Sequence, residues 1–312
     1  MLNRRGGLMI YSLLNSKLFP CPRTHKLHLI KFSTGFVQNG ANFLELDSED
    51  SLTHLRANDV VYISNHFSVD PLHRPFKKHL EKKLISLLRK TKCQLIFWNF
   101  HTTSDFSLWQ EFEHRAIHLG ENLSEHYLTQ EQVLVDFREH YNVHKLRYSS
   151  PYEQVNINNG QRDFDFQFIG SRYQPNILEH VKQNYHALIR FAPPIVDEGF
   201  RVNSFHNSLV NLVFHSAANV TKGIVVERFP EALSLGGIIF HDHPEIDKEF
   251  GHLESVFYTP NIAEVDKSFD IVKTLPNDDI AQLRQLSRTA WENSELTYKK
   301  QARKILELLG EK

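Results

Sequence analysis

Cysteine is nearly missing from this chain: two in 312 residues, Cys21 and Cys93. Two isolated thiols build no disulfide framework, and neither belongs to a closely spaced metal-binding or redox pair. A reducing, cytoplasmic compartment is therefore expected. An excess of charge of one sign is also lacking, with 36 basic against 37 acidic side chains. Proteins that hold nucleic acid through bulk charge carry a basic surplus, so no nucleic-acid partner is expected. Long apolar runs are absent as well. The run Leu8–Leu14 behind Arg4-Arg5 stops at Asn15-Ser16-Lys17 without a small-residue cleavage site. It reads neither as a signal peptide nor as the roughly 18 apolar residues of a membrane span.

What is present fits an ordinary globular chain, 41% hydrophobic and 23% charged, and long enough for two domains. Short apolar runs recur at Lys26–Phe32, Asn42–Leu46, Asp59–Ser64, Cys93–Asn99, Arg115–Leu119 and Lys145–Tyr148. A second series follows at Phe164–Ile169, His186–Phe191, Val210–Phe214, Gly237–Phe240 and Ser255–Tyr258. Amphipathic stretches such as Pro71–Arg89, Glu131–Tyr141, Pro175–Tyr185 and Ile262–Leu275 lie between them. Continuous apolar strands alternating with helices predict an α/β fold with parallel sheets covered on both faces. The polar, turn-rich stretch Ser149–Gly160 reads as a linker or crossover. The expectation is two Rossmann-like domains, 1–155 and 156–312, facing a central cleft. No strand follows the last two helical stretches, Asp278–Asn293 and Leu296–Leu309.

The densest cluster of chemistry runs from Lys222 through Arg228-Phe-Pro-Glu231-Ala-Leu-Ser-Leu-Gly236-Gly237 to His241-Asp242. It reads as a loop, a short helix, a glycine break and a buried strand. A loop entering a helix presents unpaired N–H groups to a phosphate. Arg228 adds a bidentate donor pair, and Glu231, one turn in, is placed to accept from a sugar hydroxyl. Upstream, Phe168-Ile-Gly170-Ser171-Arg172 follows the first strand after the linker and precedes a helix near Pro175. This gives close backbone approach and a further cation. Between the two, a strand ending at His215-Ser216 and a polar loop to Lys222 bring more donors to the same edge. The alternative is structural: a helix capped at Gly236 before a core strand. His241-Asp242-His243 contains metal-ligand residue types, but adjacent residues at a strand end diverge. No metal site is expected.

The Arg228–Gly237 segment resembles the R-F-x-E-A-L-x-x-G-G stretch in the nucleotide-sugar half of GT-B glycosyltransferases, in particular the CgeB-like group of the glycosyl transferases group 1 type. The turn Gly170-Ser171-Arg172-Tyr173 is similar to the one opening the second domain in that group. The resemblance implies a GT-B fold and transfer of a sugar from a nucleotide-sugar donor to a glycan or lipid-linked glycan acceptor, as in surface polysaccharide biosynthesis. It implies no bound cofactor: Gly170, Ser171, Arg172, His215, Lys222 and Arg228 would hold the donor diphosphate side, and Glu231 the ribose or sugar. It also implies that the terminal helix packs back across the first domain. The chain departs from the retaining GT-B pattern, because the glutamate eight positions before Glu231 is replaced by Gly223.

An inverting transferase needs a base at the acceptor hydroxyl. Glu121, after the strand and glycine of Ala116-Ile-His-Leu-Gly120, is the first candidate. Bacterial α-1,3-fucosyltransferases show a similar Gly-Glu-Asn arrangement, and their donor segment resembles Val225-Val-Glu-Arg228. His66 and Asp70, with His101 and Asp105, are reserve bases in loops after strands. His66 and Asp70 are also similar to an acyltransferase His–Asp box, but three residues separate them where that box has four. A catalytically silent nucleotide- or glycan-binding protein is the other reading. Finally, Arg74–Lys92 carries eight Lys or Arg against the single acid Glu81, with an apolar stripe at helical spacing. It is either a solvated helix or a peripheral contact with anionic lipid at the inner face of a membrane.

Overall fold

The computed structural model describes residues 8–12, 23–45, 55–64, 74–98, 110–120, 142–147, 149–150, 152, 155–157, 162–171, 173–191, 198–221 and 223–310. The chain divides into two compact units, 1–147 together with 298–312, and 148–297.

The first unit contains β1 (Met9–Ser12), α1 (Arg23–Gln38), β2 (Asn42–Glu45), β3 (Val60–Ser64), α2 (Arg74–Lys90), β4 (Gln94–Trp98), a 3-10 turn at Gln110–Arg115, β5 (Ala116–Gly120) and β6 (Asn142–Lys145). Its strands form a parallel sheet in the order β2-β1-β3-β4-β5-β6. Alternation of Val61, Leu95 and Phe97 with neighbours on the other face lets helices cover both sides. Leu84, Ile85 and Leu88 of α2 pack on this cluster. Burial of each such side chain contributes about 1.5–3 kcal/mol.

Two expectations fail here. Lys26–Phe32 lies inside α1, not in a strand, because its apolar residues Leu27, Leu29, Ile30 and Phe32 continue a helical run to Phe36. The first strand is instead Met9–Ser12, inside the apolar run set aside as too short for a signal sequence. The run 145–148 reads as strand only to Lys145, the pairing with β5 starting earlier at Asn142.

A further helix, α10 (Tyr298–Leu308), also belongs to the first unit and packs along α1. Phe32 meets Phe36, Tyr62 and Tyr298 edge-on or tilted within 5.8 Å. A Cβ at Gly35 would lie 2.6 Å from the Tyr298 carbonyl oxygen, so the crossing requires glycine. Asn39 Nδ2 closes it by donating to the Lys299 carbonyl at 2.8 Å.

The second unit runs β7 (Phe164–Gly170), α3 (Pro175–Asn184), β8 (Ala187–Phe191), α4 (Glu198–His206), β9 (Ser208–Val213), α5 (Ala217–Thr221), α6 (Arg228–Ser234), β10 (Ile238–His241), α7 (Pro244–Phe250), β11 (Val256–Tyr258), α8 (Ile262–Val272) and α9 (Asn277–Asn293). The sheet is parallel throughout, in the order β11-β10-β9-β7-β8. Phe166, Phe168, Val210, Leu212, Ile238 and Phe240 join α3, α8 and α9 in one apolar cluster. On the opposite face, the register partners Gln167 and Asn211 are joined by one bond, Gln167 Nε2 donating to Asn211 Oδ1 at 2.9 Å. The expected linker is part of this unit: Ser150 Oγ bonds Ser234 Oγ on α6.

Two connections leave the sheet in opposite directions from its middle. β7 leads outward to β8, whereas β9 leads the other way to β10 and β11. The chain therefore changes winding direction between β7 and β9. In open α/β sheets, ligands bind outside the carboxyl ends of the strands at this point.

Candidate functional site

The carboxyl ends of β7 and β9 converge on one side chain, Arg228, the first residue of α6. Its Nη2 donates to the Phe214 carbonyl just beyond β9 at 2.7 Å. Its guanidinium passes over the end of β7, where a Cβ at Gly170 would lie 2.9 Å from Arg228 Cζ. Glycine at 170 thus makes room for an arginine of the same chain. Arg228 Cζ sits 5.2 Å from the Phe168 ring centroid and 5.7 Å from that of Tyr173, within cation–π range. The residue is 5% exposed, and its buried Nε meets no acceptor among the described residues. Burial pushes its pKa down, while Glu227, Tyr173 and Glu231 oppose the shift.

Glu231 lies one turn further along α6 and is 0% exposed. Arg201 of α4 grips its Oε2 through Nη2, and through Nε at 3.1 Å. Burial raises the Glu231 carboxyl to about 7 against the pull of Arg201. Glu231, with Tyr152 and Glu227, holds Arg201 charged against its own burial.

His215, just past β9, is bound on every side. Its Nδ1 pairs with Asp242 Oδ1 at 2.8 Å, and Val226 N–H donates to its Nε2 at 3.2 Å. An acceptor at Nε2 fixes the tautomer with the proton on Nδ1, donated to Asp242. Burial lowers the His215 pKa despite the carboxylate, so the ring is neutral. Asp242 also accepts the His215 backbone N–H at 3.1 Å and Gln174 Nε2 at 2.8 Å. Burial alone would raise its pKa, but these bonds hold it below the usual carboxylate range.

Gln174, the residue before α3, has φ 48° and ψ 55°, a left-handed conformation that costs a non-glycine residue about 1–2 kcal/mol. Asp242 therefore ties three loops together, those after β7, β9 and β10. His243 faces His215 at 4.6 Å between ring centroids and caps α7 by accepting the Glu245 N–H. His241 lies against Tyr258. His243 also donates its backbone N–H to His241 Nδ1 at 3.2 Å, and among the described residues no group of three or more ligand side chains gathers around a metal position.

Of the residues singled out from sequence, Gly170, Ser171, His215, Arg228 and Glu231 fall along this edge; Ser171 is exposed, while Arg228 and Glu231 are buried. Arg172, Lys222, Glu121, His66, Asp70, His101 and Asp105 lie outside the described residues. Three partners were missed: Asp242, Gln174 and Arg201. Asp242 ends a quoted strand, but nothing local marks it as the hub. Gln174 carries only the weak signal of preceding Pro175, and Arg201 none.

No protein-family model matches the chain, and no curated protein matches it in sequence. Solved structures do match in fold. A DNA-modifying β-glucosyltransferase, determined with and without uridine diphosphoglucose, is 10% identical, with a TM-score of 0.56 over 97% of this chain and 99% of its own. An α-glucosyltransferase in complex with UDP and a 13-mer DNA is 12% identical, with a TM-score of 0.55 over 97% and 99%. AviGT4, a glycosyltransferase involved in avilamycin A biosynthesis, is 13% identical, with a TM-score of 0.51 over 97% of each chain. These similarities, together with the two parallel sheets, define the fold as GT-B.

Proposed function

We propose that this protein is a glycosyltransferase that moves a sugar from a nucleotide-sugar donor to a glycan or lipid-linked glycan acceptor. The observation that carries the reading is the position of Arg228: a buried guanidinium at the switch point between β7 and β9, with Nε lacking an acceptor. When the bond between the anomeric carbon and the diphosphate oxygen breaks, negative charge builds on the leaving group. A fixed, desolvated cation stabilises that charge more strongly than water does. Arg172 and Lys222 are proposed as companions in a diphosphate site that needs no metal, with Gly170 and Ser171 forming the turn beside it. Glu231, oriented by Arg201, is proposed to accept from the ribose or donor sugar. Glu121 is proposed as the base that takes the acceptor hydroxyl proton, with His66 and Asp70 in reserve. Its loss separates a transferase from a silent nucleotide-binding protein on the same fold.

Thermal unfolding with UDP, GDP, CMP and dTDP, in chelator, tests the reading. One nucleotide should stabilise the protein saturably, and Arg228→Gln should abolish the effect. Absence of stabilisation by any of the four would remove the donor site.

A second reading concerns the acceptor. α2 exposes Lys82, Lys83 and Lys90, and Lys92 just beyond its end is exposed too; two of the fold neighbours are described with DNA. A duplex-DNA acceptor would show as sugar transfer to DNA that weakens steeply with salt. Transfer to glycan, or vesicle binding through α2, would favour the first reading. No described helix is long and apolar enough to cross a membrane.

A further inference from the structure

The opposite edge of the second sheet holds another group of nitrogen donors, two arginines and a histidine, unconnected with the switch point. Arg284 of α9 is 1% exposed. Its Nη1 donates to the His206 carbonyl at 3.1 Å. Its Nε and Nη2 are buried and meet no acceptor among the described residues. This Nε/Nη2 edge is the fork that takes a carboxylate elsewhere in the chain, in Arg89 on Glu111 and in Arg201 on Glu231.

Among the described residues the surroundings add donors, and no carboxylate acts on Arg284 or Arg162. Nε of the half-buried Arg162 and Nε2 of His206 are likewise buried without a partner. Asp163 and Phe164, just after Arg162, donate their N–H groups to the carbonyl of Asn207, which follows His206. Arg162 and His206 thus meet at the start of β7 and β9, beside Arg284. The nearest acid in sequence, Asp163, bonds Asn207 Nδ2 in an exposed pair. Burial and Arg162 push the Arg284 pKa down only to about 10, so it remains a cation at neutral pH. A guanidinium buried without counter-charge is strongly unfavourable, and a fork of two parallel N–H groups matches two oxygens of one oxyanion.

We infer that Arg284, with Arg162 and His206, binds a small tetrahedral oxyanion of the phosphate or sulfate class at the amino-terminal edge of the second sheet. The ion is small because both donors of the fork are enclosed, and half-buried Arg162 gives it a way in. It serves as a resident structural ligand, bridging α9 to the entry of β7 and the end of α4.

The experiment adds inorganic phosphate in the low millimolar range at constant ionic strength. All proteins carry Arg228→Gln, so that phosphate at the donor site contributes nothing. Titration calorimetry should show saturable binding, and thermal unfolding a rise of about 5 °C at about one hundred times the dissociation constant. Adding Arg284→Gln should abolish saturation, and adding Arg162→Ala should weaken affinity at least about tenfold. A small, linear response equal in all three proteins is general exclusion of phosphate from protein surface, and it would overturn the site. If Arg284→Gln does not fold, the Arg162→Ala titration decides: unchanged affinity overturns the inference.

Discussion

Asp242 Oδ1 lies 2.8 Å from His215 Nδ1, and the same carboxylate takes the His215 backbone N–H and the Gln174 side chain. One buried acid at the end of β10 thereby sets the tautomer of a histidine at the end of β9 and stabilises a left-handed residue after β7. Asp242→Asn should cost about 2–4 kcal/mol, the amide being unable to accept three donors. Chemical denaturation should show the midpoint falling with the slope unchanged. The variant should also weaken nucleotide binding, because the loops at the switch point lose their common anchor.

Gly170 and Arg228 should behave as one unit. Gly170→Ala puts a methyl group where the guanidinium lies, and it should reduce nucleotide affinity about as much as Arg228→Gln. In a double-mutant cycle the two losses should be far from additive. Additive losses would mean that the glycine serves something other than Arg228.

Arg201 and Glu231 form a buried pair whose halves are unequal to lose. Arg201→Met leaves an enclosed carboxylate and should destabilise the second unit by about 3–5 kcal/mol. Arg201→Met with Glu231→Leu should recover most of that stability while abolishing any sugar contact made by Glu231. Measured melting temperatures, set beside donor affinity, separate the pair's structural role from its binding role.

Acid should destabilise the second unit before ordinary carboxylates titrate. Burial lowers His206 to about 4 and His241 to about 3, and lowers His215 as well. Such groups stay neutral in the folded chain while the unfolded chain binds protons near pH 6.5. Their stabilisation is present above pH 6.5 and is lost as pH falls below it. Glu231, raised to about 7, works in the opposite sense and adds stability as pH falls from 7 toward 4.5. Three histidines against one carboxyl leave a net loss, at up to about 1.4 kcal/mol per pH unit for each uncompensated group. Melting temperature measured from pH 7 to 4.5 in buffer free of phosphate and sulfate should fall, and His241→Gln should flatten the slope.

Gly35→Ala should strike the first unit alone. The added methyl meets the Tyr298 carbonyl, and overpacking of this kind costs about 1–3 kcal/mol. Hydrogen exchange should rise in α1 and α10, with nucleotide affinity unchanged.

Much of the architecture was legible because parallel strands covered on both faces are mainly apolar, with polar exceptions such as Gln167 and Asn211 bonded to each other. Phe164–Ile169, Val210–Phe214 and Gly237–Phe240 announce themselves in this way. Where the pattern failed, two periodicities overlapped: Leu27, Leu29, Ile30 and Phe32 fit strand and helix alike, and only their continuation to Phe36 separates the two. At the candidate site, Arg228, Glu231 and Gly170 stood out through local spacing. Their partners did not, because Asp242–Gln174, Arg201–Glu231 and Arg228–Phe214 are contacts across 14 to 68 positions. Such pairings are set by sheet order, which no local window contains. Gly170 shows the same limit from another side: the glycine was noticed, but what fills its space was not.

The packing of α10 on α1 has a consequence for synthesis on the ribosome. All of 148–297 is a continuous stretch and emerges entire before Tyr298 appears. The later half can therefore finish folding while the earlier one still waits for its closing helix. Until then Phe32 lacks the Tyr298 ring that it meets in the finished protein, and the nascent chain carries an unfinished apolar surface through most of translation. Interrupting the helix 298–308 should thus harm the portion of the molecule made first, and spare the portion made just before it.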